Sequence, residues 1–311
     1  MLINISPSKY RLYFPQDPNP FVSEGFINLV KDKVDKVVRL IDSGKDVSIG
    51  LVAGVKNNAL LAPFSAPFGG FHYKTEAVFY DRVYDFILNL KQYISIENID
   101  SMKVTLSPNV YNPSLNSKLV NAFIRQGFIM ETPDIISCMD LRHFHGEWRK
   151  NTVRQNCNKA IRSGLSFSKV KDEKSIKEVY DIIEKNRKSQ DRNIYMSLQG
   201  IIDVSNVLQV DFFLVKNMKG ESIGSGVFYR GHEKIVQGVF VGDVLSSRKL
   251  DTIDFLFLNV INFYKEKGFD FIDFGKSSSK GVPSTGLIRF KENHNCISTL
   301  GYTFSWNDVK S

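Results

Sequence analysis

Apolar residues recur along this chain with two periods, and the switches between them mark out its elements. Phe26, Leu29, Val30, Val34, Val37, Val38 and Ile41 step by three or four, the spacing that keeps one helix face dry. A helix is therefore predicted over 22–41, stopped by Gly44. Short apolar runs at 47–55 and 59–62 flank Lys56-Asn57-Asn58 and predict a hairpin. Amphipathic spacing returns at 78–94 and at 115–126, the latter ended by Gly127, and predicts two helices. Strands are expected at 102–106, 128–130 and 135–141.

The rest of the chain repeats that order. Helices are predicted at 175–188 and 200–208, then an antiparallel meander at 211–216, 222–230 and 234–242 with turns at Lys219-Gly220 and Gly231-His232. A helix at 254–267 stops at Gly268, followed by a strand at 269–274, a short helix at 286–292 and a final strand at 296–306. Ser48-Ile49-Gly50 matches Ser222-Ile223-Gly224 at an offset of 174 (222 − 48), and the helix starting near Val78 matches one near Thr252 at the same offset (252 − 78). A constant offset with a constant element order reads as a tandem duplication. The halves are expected at 1–144 and 145–311, joined by a basic helix near 146–163 whose one acid is Glu147.

Composition narrows the class. With 42% hydrophobic and 24% charged residues in 311, the chain has the make-up of a globular protein large enough for two cores. Its most apolar stretch, 255–263, is interrupted by Asn259 and Asn262, so no membrane insertion is expected. The N-terminus lacks a basic then apolar leader, and three scattered cysteines give neither a disulfide framework nor metal-ligand spacing. A cytoplasmic location and no metal are the expectations. The net charge of +8 suits phosphate-bearing partners, although solubility alone would also account for it. No nucleic-acid reader motif is present, and DNA is not expected as a partner.

Four local patterns occur in order: Ala66-Pro67-Phe68-Gly69-Gly70-Phe71, the basic segment ending Arg162-Ser163-Gly164-Leu165, the strand Phe271-Ile272-Asp273-Phe274-Gly275, and Gly286-Leu287-Ile288-Arg289-Phe290-Lys291. In that order and spacing the chain resembles the Fem-like (FemAB-type) branch of the GNAT superfamily, bacterial N-acyltransferases and aminoacyltransferases of the cell envelope. The resemblance implies an α/β fold of two tandem GNAT-like domains, each with a mixed sheet splayed open near its middle. It also implies that the donor carbonyl bonds to main chain of the fourth strand, here through Val239, Phe240 and Val241.

Two departures stand out. The segment after that strand, Val244 to Thr252, has no glycine where acyl-CoA enzymes of this superfamily carry a phosphate-cradling loop; Ser246, Ser247, Arg248 and Lys249 are the residues left to hold a phosphate. The long coiled-coil insertion of some cell-wall members is missing as well.

Amide formation needs a neutral amine, a polarised carbonyl and a protonated leaving group. Asp243, just past the donor strand, is the candidate base or amine-positioning carboxylate, with a turn aspartate following Gly242 as the alternative. Lys291 matches the Fem-like signature and is the candidate cation near the substrates, with a solvated helix lysine as the alternative. Among Ser277, Ser278 and Ser279, Ser278 is the candidate proton donor. Gly69, Gly70, Phe71, His72 and Tyr73 form a candidate acceptor floor or a packed apolar loop. Arg154, facing Lys150 at i+4 on the joining helix, is a candidate substrate contact.

Three functions follow. The first is an acyltransferase moving an acyl group from acyl-CoA to a small-molecule amine such as an amino sugar or envelope precursor. The second is a transferase taking aminoacyl-tRNA as donor. The third is a GNAT-fold binding module without catalysis.

Overall fold

The computed structural model describes residues 1–44 and 47–307. In chain order it contains β1 (Leu2–Asn4), α1 (Pro7–Tyr13), α2 (Glu24–Val30), β2 (Lys36–Asp42), β3 (Ile49–Lys56), β4 (Ala59–Ala62), β5 (Phe71–Tyr73), α3 (Tyr80–Ile96), β6 (Ser101–Thr105), α4 (Pro113–Arg125) and β7 (Ile129–Met130). There follow β8 (Asp134–Asp140), α5 (Asn151–Arg162), β9 (Ser166–Val170), α6 (Glu173–Lys188), α7 (Leu198–Val207), β10 (Val210–Lys216), β11 (Ser222–Tyr229) and β12 (Ile235–Asp243). The chain closes with α8 (Thr252–Glu266), β13 (Phe271–Lys276), β14 (Ser278–Ser279), β15 (Val282–Pro283), α9 (Thr285–Asn293), β16 (Ile297–Gly301) and β17 (Thr303–Asn307).

Two compact units result: Met1–Ile135 with Ser278–Pro283 and Thr299–Ser311, and Ile136–Ser277 with Ser284–Ser298. The first unit's sheet has the order β1-β2-β3-β4-β6-β17-β7, with β5 paired to β3, and the second sheet has the order β9-β10-β11-β12-β13-β8-β16. The repeat extends to register. Lys36 faces Val55 across β2 and β3, and Val210 faces Tyr229 across β10 and β11, both partners displaced by 174 (210 − 36 and 229 − 55). Each unit packs its own core. Val83, Phe86, Ile87 and Leu90 of α3 line the first, and Leu256, Val260, Ile261 and Tyr264 of α8 the second. Among the described residues no helix is long and apolar enough to cross a membrane; the apolar 255–263 run lies within α8, which buries Phe255, Leu256, Phe257, Val260 and Ile261 of it.

Three expectations are corrected. The helix predicted over 22–41 is α2 only as far as Val30, then a 3₁₀ turn, then β2. Val37, Val38, Leu40 and Ile41 fit a helical stripe, but as a β-branched-rich run flanked by β1 and β3 they satisfy a central strand better. The joining helix starts at Asn151, because Asn295 bonds main chain at Arg149 and Glu147 and Gly146 takes φ +85°, which holds the preceding residues in turns. The strands at the ends of the halves are exchanged. β8 pairs with β13 of the second sheet, whereas β17 completes the first sheet between β6 and β7.

Candidate active site

β12 runs antiparallel to β11 from Gln237 to Asp243, yet it pairs with its parallel neighbour β13 at three positions only, Ile235 to Phe271, Val236 to Ile272 and Gln237 to Asp273. Beyond Gln237 the two strands part. The cause lies in β13. Gly275 takes φ +71°, open to glycine at little cost, and its N–H donates to Asp273 Oδ1 at 2.8 Å. The buried Lys291 ammonium of α9 then donates to the carbonyls of Phe274 (2.8 Å), Gly275 (3.1 Å) and Lys276 (3.3 Å) and to Ser277 Oγ (2.9 Å). These bonds fasten the divergent end of β13. Burial pulls the Lys291 pKa down, against the pull of Cys296, Asp273 and Cys138.

A bulge at Val239 adds to the opening. Phe228 faces Gly238 and Val227 faces Phe240, so Val239 has no partner on β11. The extra residue also resets which way side chains point. A Cβ on Gly238 would meet the Phe228 and Phe274 rings, whereas one on Gly242 would meet Asn186 of α6. Val239, Phe240 and Val241 are consequently half-buried, in contrast to the fully covered Val236. Their main chain borders a slot with β11 on one side and no strand on the other, where fixed amide dipoles can meet a carbonyl.

Asp243 ends β12 and is buried. Asn186 Nδ2 donates to both its carbonyl and its Oδ1, each at 2.9 Å, and Arg248 Nε stands 3.6 Å from Oδ1. No described residue bonds Oδ2. Burial raises the Asp243 pKa, with Arg248 and Asn186 opposing. Asn186 escaped the sequence reading, although a signal existed: it extends the stripe Val179, Ile182 and Ile183 by one helical step, a polar residue on a buried face.

The segment after Asp243 winds into a 3₁₀ turn over Leu245–Leu250, and Asp251, at φ +54°, leads into α8 without capping it through its side chain. The first amides of α8 are thus left for another acceptor. Ser246, Arg248 and Lys249 are exposed, but Ser247 is buried and bonds the carbonyls of Val244 and Ile223. The two nearby acids are answered by other groups: Asp251 pairs with Lys159 at 2.8 Å, and Asp254 receives Asn156 at 2.9 Å and His294 at 2.6 Å. The residues present fit a phosphate-bearing donor without a glycine-rich loop.

The other predicted residues occupy different settings. Ser278 lies in the first unit, where its hydroxyl donates to Asp134 at 2.6 Å and accepts from the Ile135 N–H at 2.8 Å. Gly69 and Gly70, at φ +143° and +102°, stitch the first sheet: Gly69 N–H bonds Thr105 O at 3.1 Å and Val52 N–H bonds Gly70 O at 2.7 Å. β4 pairs with β6 over its four residues, and after the 63–70 segment the chain returns as β5 to pair with β3 alone, so the first sheet too loses its parallel pairing part-way, as the resemblance implied for both halves. Phe71 packs against Phe86 and Phe123. His72 is buried between Tyr10 and Asp17, each at 3.2 Å, while Tyr73 edges a narrow crevice with Pro18 and Asn112. Arg154 is exposed on α5. Among the described residues no group of three potential ligands could hold a metal ion.

A sheet parted beside a bulged strand, repeated hairpins in register and a helix starting at the slot's end define the Fem-like tandem GNAT fold, in a mixed α/β class. Solved structures agree. The chain is similar to FemX over 99% of its length and 97% of that chain (10% identity, TM-score 0.70). It is likewise similar to L-PGS from Bacillus licheniformis over 99% and 94% (11% identity, TM-score 0.64), and to a tandem GNAT protein from the clavulanic acid biosynthesis pathway over 89% and 84% (8% identity, TM-score 0.51). No protein-family profile matches the chain, and no curated protein matches it by sequence.

Proposed function

We propose that the chain is an N-acyltransferase that takes an acyl thioester of coenzyme A into the slot beside β12 and passes the acyl group to an amine. The observation that carries this reading is the end of β12–β13 pairing at Gln237 and Asp273. Main-chain N–H groups at Val239 to Val241 receive the thioester oxygen and hold it as negative charge builds during attack. Asp243 Oδ2 takes the proton that the ammonium must lose to become a nucleophile. The new C–N bond forms as the C–S bond breaks, and the sulfur leaves as a thiol with the second amine proton. The first turn of α8 and Lys249 face the donor's phosphates. Ser278, its proton already given to Asp134, has no part in this scheme. Lys291 acts as a positioning residue, holding β13 away from the slot.

Thiol release from acetyl-CoA in the presence of a panel of primary amines tests the reading. Amine-dependent release that Asp243→Asn abolishes is expected. Saturable binding of no CoA species at all would remove the proposal.

A further inference from the structure

The second unit carries a half-buried guanidinium that no anion of the described residues answers. Arg187, on the last turn of α6, lies with its guanidinium carbon 5.9 Å from the centre of the Phe240 ring on β12. No described carboxylate or carbonyl accepts from it, and the charged or titratable groups it feels are Arg192 and Tyr195. The chain turns back at the end of α6, where the Arg192 N–H donates to the Arg187 carbonyl at 3.0 Å, which brings a second arginine close enough for its charge to act on the first. Burial, and then the Arg192 charge, both disfavour the Arg187 cation. Two like charges at the edge of a slot are poorly placed until an anion joins them.

The face of β12 indicates whose anion that is. Through the Val239 bulge, Gly242 points at α6 and Phe240 lies under Arg187, whereas Val241 packs into the core that α8 helps to form. The residues left for the donor's phosphates precede α8, so an anion at Arg187 stands on the other face. Resting on the transferase reading, we infer that the acceptor amine carries a carboxylate or phosphate group, which Arg187 and Arg192 hold beside the slot while the amine meets Asp243.

The test follows the Arg187 Nε–H resonance in ¹⁵N-labelled protein saturated with CoA, titrated with inorganic phosphate or with acetate at constant ionic strength, chloride being the control. A saturable shift is expected, with phosphate or acetate binding about tenfold or more tightly than chloride and the tighter of the two naming the acceptor's group. Arg187→Gln, or Arg192→Gln at an exposed position that folding does not depend on, should weaken that binding by about tenfold. The inference is overturned if no saturable shift occurs, or if a shift in the CoA-free protein vanishes on CoA saturation, since the anion would then be the donor's. Should CoA fail to bind while phosphate still moves Arg187, the transferase reading falls and the anion site stands.

Discussion

Asp243 is held where its own charge is unwelcome, and in the proposed reaction that sets its pH dependence. Burial raises its pKa, so as a base it is active above a value higher than an ordinary carboxylate's. The kcat/KM profile should fall as pH drops through that raised value. Its effect on stability has the opposite slope: the folded state binds the proton more tightly than the unfolded chain, so the stabilisation is complete at low pH and is lost as pH rises through the folded pKa. Asp243→Asn is therefore expected to lower kcat/KM by about 10²- to 10⁴-fold without lowering Tm at neutral pH, measured by steady-state kinetics and calorimetry on one preparation. The place of Asp243 at a strand end was legible because it follows a readable strand. The bonds of Ser278 to Asp134 and of His72 to Asp17 were not, since both join residues remote in sequence. Nothing local marks a hydroxyl or an imidazole as already engaged.

At the scale of elements, the slot depends on how two strands separate. Lys291 is buried, and Lys291→Met would strand three carbonyls that now share one ammonium. A loss of about 3 kcal/mol of stability is expected, read by denaturant titration, together with weaker CoA binding as β13 loses its anchor. Native-state hydrogen exchange should show Val239, which has a register partner on neither β11 nor β13, exchanging faster than Gln237, which pairs with both. Protection at Val239 equal to that at Gln237 would mean a closed ladder. The meander β10–β11–β12 was readable from its turns and alternation. The misread stretch at 34–41 shows the limit of period counting, because a dense β-branched run fits both templates until its neighbours are known.

For the whole molecule, the repeat at 174 was visible in the sequence and is repeated in hairpin register, whereas the exchange of β8 and β17 was not. A strand's local pattern is the same in whichever sheet it lies. Phe304 of β17 is fully buried and stacks on Phe123 at 4.8 Å, so the first unit's core is finished by the last strand of the chain. Phe304→Ala is expected to cost about 3–5 kcal/mol. Since the first unit needs segments that follow most of the second in the chain, a chain cut off before β17 is expected to lose the first unit's cooperative unfolding transition by calorimetry, and a retained transition would speak against that dependence.

The most direct measurement is amide mapping of β12 during an acetyl-CoA titration followed by NMR. Saturable shifts at Val239, Phe240 and Val241, with amides of β4 and β6 unmoved, are the result expected if that strand's main chain grips the acyl carbonyl. Tight binding that leaves those three amides where they were would contradict it.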